Sequence, residues 1–261
     1  MSVAAAAVID DVRAPAVAAR PPCAPVVWDP SPEQLREVVD WSHWYLTDEE
    51  DMGQGGEQAQ IIDVLTASLK ALAAERRWPS VLISWDQFFG WREDEPLVRV
   101  SPDVFVLDDP PPPPYPAMWK TWLPEHRPPR LAFEIVSGDG WAKDYRDNPP
   151  KYAQLGTREL AVFDPFAATG TTSVEERVAL QVFHRQADGV SVRVYHGPGP
   201  VRLDEADAWL VVEPHAEAVR LRLARDSSGQ DIIATAEEAL GRAEREVAEL
   251  RAELARLRRE S

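Results

Sequence analysis

The sequence predicts an α/β fold: helices packed on a β-sheet, further antiparallel strands after it, and a heptad-patterned helix at the end. Three observations predict it. Ile61, Leu65, Leu69 and Leu72 recur at spacings of four and three, which places them on one helical face. After Trp78-Pro79 the period becomes two, with Val81, Ile83 and Trp85 alternating with Leu82 and Ser84. Residues 131–136 are apolar apart from Glu134, as suits a central strand buried on both faces.

Taken in order, residues 1–30 hold Ala, Val and two short proline clusters with few aromatics, and are expected to be a disordered leader. The main domain is expected over residues 31–225 and a separate helical tail over residues 226–261. Ser31-Pro32-Glu33-Gln34 combines an N-cap, a first-position proline and a glutamine three residues on, so a helix should run to about residue 45. Acids at 48–51 and Gly53, Gly55 and Gly56 break it, and a second helix begins near Glu57. The strand at 81–85 leads through a hairpin-like connection, residues 90–96, to a second strand over residues 98–107 that contains Pro102-Asp103. Residues 108–116 are almost all proline and acid and can only be a surface loop. The strand over 131–136 is followed by a loop with Gly138 and Gly140 that carries Lys143 and Asp144. A short helix near 149–155, stopped by Gly156, and a strand over 159–163 complete this region. Runs at 178–184, 190–195, 209–212 and 219–223 read as antiparallel strands that extend or cover the sheet. In the tail, Ala236, Leu240, Ala243, Val247, Leu250, Leu254 and Leu257 are spaced 4, 3, 4, 3, 4, 3, about three heptads of an a/d seam.

The formal net charge of −16 excludes a basic nucleic-acid coat, but it is unevenly placed. Residues 1–60 carry 11 acidic and 3 basic groups, whereas residues 120–158 carry seven basic against five acidic. Cys23 is the single cysteine, which excludes an internal disulfide and a multi-cysteine zinc site. The early alanines lack a basic region before them, and Asp10 and Asp11 interrupt the apolar run. With no membrane-length apolar stretch, the expected location is therefore a reducing cytoplasm.

Chemistry is concentrated between residues 101 and 165. A lone carboxylate in an apolar strand is costly unless it is paired or bound to a cation, so Asp103 and Glu134 on neighbouring strands suggest a shared one. The chain has four lysines, and two, Lys143 and Lys151, follow Glu134 closely. Two acids and a lysine suffice for metal-dependent phosphodiester hydrolysis: the acids hold Mg²⁺ (or Mn²⁺), and the lysine orients or deprotonates water and steadies developing charge.

The ordered set Ser-Pro-Asp103-Val-Phe-Val, Leu-Ala-Phe-Glu134-Ile-Val-Ser137, Lys143-Asp144, and Lys151-Tyr152 through Gly156 to Glu159 and Asp164-Pro165 resembles the Uma-type restriction endonucleases of the PD-(D/E)XK nuclease superfamily. The resemblance covers residues 57–225 and extends to the heptad tail. It implies a restriction-endonuclease-like mixed sheet, and a DNA endonuclease in which Asp103 and Glu134 are metal ligands and Lys151 or Lys143 is catalytic. Glu57, Asp144 and Tyr152 are the supporting candidates. It also marks departures: Val136 stands where the superfamily pattern has lysine, Asn148 where the subgroup often has one, and Gln58 where many relatives have histidine.

Each signal has a plainer alternative. Glu134 can pair with an arginine such as Arg99, both lysines can be solvated, and Asp144 can cap a turn. Trp119 and Trp122 fit a lid over the sheet edge better than a base-stacking platform. The five histidines show no metal-ligand spacing, and Ser137 lacks a nucleophile motif around it. The expected partners are DNA, held transiently, and a second copy through the tail. The rival function is a non-catalytic member of the same fold that binds or regulates, recruiting a partner through its tail.

Overall fold

The computed structural model describes residues 56–138, 140–215 and 218–260. The leader and the helix expected over residues 31–45 lie outside them. The expected helical face forms α1 (Gly56–Arg76), whose Ile61, Leu65, Leu69 and Leu72 are all buried. Trp78 N–H closes on the Ala73 carbonyl, and the chain turns into β1 (Val81–Ser84).

The stretch expected as one strand over residues 98–107 is divided. After β2 (Phe88–Gly90) come β3 (Arg99–Val100) and then β4 (Val104–Asp108), which belong to different sheets. Pro102 at the break has no N–H to give to a ladder, so Asp103 stands just before β4 and not inside a strand. β5 (Met118–Lys120), which follows the proline loop, was not foreseen; three residues are too few to show a period. It pairs parallel to β2, and β2 pairs antiparallel to β3. Trp119 on β5 is fully buried, stacks on Phe89 at 6.1 Å and donates its indole N–H to Gln87 Oε1 at 2.7 Å. This small sheet is a packed cover, in line with the lid reading.

β6 (Leu131–Ile135) runs antiparallel to β4 and parallel to β7 (Glu159–Phe163). A parallel pair needs a crossover, and here it is helical from Trp141 onward, seven residues earlier than α2 itself. A π-helical turn, Lys143–Asp147, runs directly into α2 (Asn148–Leu155), which ends on Gly156 at φ +101°. Pro149 and Pro150 offer no N–H to the carbonyls four residues back, while Asn148 N–H reaches the Lys143 carbonyl five residues back. Lys143 and Asp144 therefore sit on a helical turn rather than in the loop expected for them.

After α3 (Pro165–Thr169), β8 (Leu180–Arg185) and β9 (Ser191–Gly197) complete a six-stranded mixed sheet of order β1-β4-β6-β7-β8-β9. β10 (Val201–Leu203), β11 (Ala208–His215) and β12 (Ala218–Ala224) form a separate antiparallel sheet. Side chains of β6 alternate between two cores. Leu131, Phe133 and Ile135 pack with α1 and with Leu210 and Leu221 of the second sheet. Ala132 and Val136 pack on the opposite face with Tyr145, Tyr152 and Leu155 of the crossover. The tail is α4 (Ala236–Glu260), and among the described residues no helix is long and apolar enough to cross a membrane.

Candidate active site

Glu134 lies two residues from both Ala132 and Val136 and therefore shares their face, the crossover face of β6, where it is 6% exposed. Two residues one turn apart on α2 meet it there. Tyr152 donates its hydroxyl to Glu134 Oε1 at 2.6 Å, and Asn148 donates Nδ2 to the same oxygen at 3.0 Å. Asn148 Nδ2 also reaches Asp144 Oδ1 at 3.0 Å, so residues 144, 148 and 152 form a polar stripe along one helical face. The π turn brings Asp144 onto this stripe; it is buried and turned inward, and is not the turn cap of the plainer reading.

Asp103 reaches the same place from β4. The β4–β6 register pairs Val104 with Phe133, and carried one step further it sets Asp103 opposite Glu134. Asp103 Oδ2 accepts the Ile135 N–H at 2.7 Å, and Oδ1 accepts Gln58 Nε2 at 3.0 Å. Gln58 lies in the first turn of α1 and also donates to the Ile135 carbonyl at 3.3 Å. Its neighbour Glu57 is exposed, so in this turn the glutamine is the residue that touches the acid. The arginine alternative for Glu134 is not what forms: the Arg99 guanidinium lies over the Phe88 ring, 3.9 Å from its centre.

Burial and mutual repulsion raise the acids' pKa values. Burial pushes Asp103 up to about 6, against the Ile135 N–H, the Lys143 charge and Gln58, which favour the ionised form. Asp144 is pushed up to about 7, again first by burial. Glu134 stands well above its ordinary value because burial and the charges of Asp144 and Asp103 act together. Lys143 offsets all three, whereas Lys151, buried on α2, is felt at Asp144. Lys143 is thus the lysine whose field covers the whole cluster.

A hard cation suits these oxygens. Burial raises their pKa values first and Lys143 offsets only part of that, so a divalent ion would stabilise the ionised oxygens further. Among the described residues no three or more Asp, Glu, His or Cys are grouped to hold a metal, so an ion here would rest on two carboxylates and water, a coordination that suits Mg²⁺ and not an all-protein cage.

One residue in this region was not recognised as a support. Asp164, fully buried at the end of β7, accepts the Tyr145 hydroxyl at 2.9 Å and two Arg177 nitrogens at 2.6 and 2.8 Å. Its Oδ1 also caps α3 by accepting the Ala167 N–H at 3.0 Å. Through Tyr145 it ties the π turn to the sheet. The signal was present in Asp164-Pro165, an N-cap followed by a first-position proline.

A mixed sheet with acids from two adjacent strands facing a crossover helix defines an α/β domain of the restriction-endonuclease type. The chain belongs to the Uma2 family, described as "Putative restriction endonuclease", which matches residues 41–214. No curated protein matches it. Among solved structures it is similar to a "putative nuclease belonging to DUF820" from Anabaena variabilis, at 15% identity and a TM-score of 0.42, covering 59% of this chain and 75% of that one.

Proposed function

We propose that this chain is a divalent-metal-dependent endonuclease that hydrolyses phosphodiester bonds in DNA. The observation that supports this most is geometric: Asp103 lies opposite the buried Glu134 across the β4–β6 register, and Asn148 joins Glu134 to the buried Asp144 on the crossover. Asp103 and Glu134 would hold Mg²⁺ or Mn²⁺, which would supply charge stabilisation and an acidified water. Tyr152 and Asn148, both on Glu134 Oε1, orient that carboxylate and leave Oε2 to the ligand side. Gln58 and the Ile135 N–H fix Asp103 in the same way. Lys143 would position the attacking water and steady the charge that grows on the phosphate oxygens. Lys151, buried on α2, is the other catalytic candidate, and its charge favours the ionised form of Asp144.

The test is nicking of supercoiled plasmid with Mg²⁺ or Mn²⁺. Asp103→Ala and Glu134→Ala should each lower the rate by at least ~100-fold, and Lys143→Ala by about as much, with Lys151→Ala milder. Cutting that survives both acid substitutions would sink the reading. A second reading, a non-catalytic member that binds or regulates, is favoured by one observation: Asn148 occupies the place on Glu134 and Asp144 where a lysine is expected from the resemblance. Calorimetric titration with Mn²⁺ separates the two, since a degenerate site gives no heat that depends on Glu134.

A further inference from the structure

The root of α4 is fixed to the body. Thr235 and Glu238 form a reciprocal cap, Glu238 N–H donating to Thr235 Oγ1 at 3.2 Å and Thr235 N–H to Glu238 Oε2 at 2.9 Å. Glu238 also takes two bonds from the buried Arg222 of β12, at 2.8 and 2.7 Å. Beyond the root the helix leaves the domain. Every described side chain from Arg242 to Arg259 is exposed, and the seam shows Leu240 at 60%, Val247 at 45%, Leu250 at 54%, Leu254 at 55% and Leu257 at 48% exposure. A 25-residue helix of about 37 Å that presents its apolar stripe to solvent beyond the root is marginal in water on its own, and a cover would stabilise it.

The charges beside the stripe say what that cover is. With Leu240, Val247 and Leu254 at a and Ala243, Leu250 and Leu257 at d, the g positions are Ala239, Glu246, Glu253 and Glu260, and the e positions Glu237, Glu244, Arg251 and Arg258. In a parallel pair, each g residue faces the e residue five positions on in the other helix. Glu246 then meets Arg251 of the partner subunit, and Glu253 meets Arg258 of the partner subunit, twice over by symmetry. In an antiparallel pair e faces e, which also matches glutamates with arginines, but g faces g, where glutamates meet glutamates; only the parallel pair has attraction without that repulsion. The far half of the seam agrees with the charges, since Leu250 and Leu257 at d with Val247 at a suit two parallel strands, while Ala243 thins the seam near the root. We propose that α4 is the interface of a homodimer, a parallel two-stranded coiled coil whose partner is a second copy of this chain.

The proposal is independent of the chemistry assigned to Asp103 and Glu134. Sedimentation equilibrium on the full chain at tens of micromolar should give twice the chain mass. Glu246→Arg with Glu253→Arg should give monomer, as should Arg251→Glu with Arg258→Glu, and mixing the two variants should restore dimer. An unchanged unfolding midpoint in the body of each variant shows that the loss is not misfolding. Direction is read by Leu257→Cys in a Cys23→Ser background, which should cross-link to itself under mild oxidation because equivalent d residues share a layer. Monomer at all concentrations, an association indifferent to the charge swaps, or a dimer that fails to cross-link at residue 257 would each overturn the proposal.

Discussion

At the residue scale, the acids of the site differ in how far the sequence showed them. Glu134 was legible because it is the lone charge in an apolar strand, and Asp103 because Pro-Asp opens the neighbouring one. The pattern puts Asp144 in a loop and begins the helix near residue 149, because Pro149-Pro150 imitates an N-terminus and hides the continuous turn that spaces 144, 148 and 152 by four. Burial of Glu134 has a cost that a substitution can expose. Its folded pKa is raised, so ionising it destabilises the fold as pH climbs from the unfolded value toward the folded one. Glu134→Gln keeps an oxygen for both Tyr152 and Asn148 and removes the titration. In EDTA at pH 7.5 the variant should unfold at higher urea, by about 1–3 kcal/mol, while nicking is lost. A destabilised variant would show that the carboxylate is held more favourably than its surroundings indicate.

At the element scale, long periodic segments were readable and short ones were not. α1, β1, β6 and β7 lie where the patterns put them, whereas β5 and β10 have three residues each and β3 has two. Cross-strand pairs lay beyond reach altogether. Glu159 of β7 stands opposite His184 of β8, and their side chains meet at 2.8 Å, with Glu159 also accepting the Asp204 and Glu205 N–H groups at 2.9 Å each. The Glu159 hydrogen bond raises the His184 pKa above its ordinary value. The stabilisation from a raised histidine is complete below the unfolded pKa near 6.5 and is lost as pH rises through the folded one. Comparing wild type with His184→Gln in urea, wild type should lose about 1 kcal/mol more between pH 6 and pH 9. Parallel pH profiles for the two proteins would show that the β7–β8 pair holds without the charged imidazole.

At the scale of the whole molecule, the sheet's mixed order came from resemblance and not from the pattern, since alternation shows which face a residue takes and not which way its neighbour strand runs. Charge, by contrast, is read at full length in the sequence, and it bears on how the proposed endonuclease, at net charge −16, would hold DNA. Half of that deficit belongs to residues 1–60, while the stretch from 120 to 158, which contains β6 and the crossover, carries seven basic groups against five acids. Among those bases, Arg130 is tied to Asp108 at 2.7 Å, Arg127 to Asp109 at 3.2 Å and Arg146 to Glu176 at 3.3 Å. Arg158 is likewise tied to Glu205 at 2.7 Å and Lys151 is buried, so little counterion release is expected and binding should rest on the metal-bridged phosphate and about two further contacts. On that footing, affinity for duplex DNA should fall only ~10-fold between about 50 and 200 mM salt. Fluorescence anisotropy of the unsubstituted chain with Ca²⁺ in place of Mg²⁺, an ion that bridges carboxylates and phosphate at longer distances and in looser geometry, measures that slope. A loss of a thousandfold or more over the same range would mean that a broad basic surface, assembled by the fold or by two copies together, carries the DNA instead.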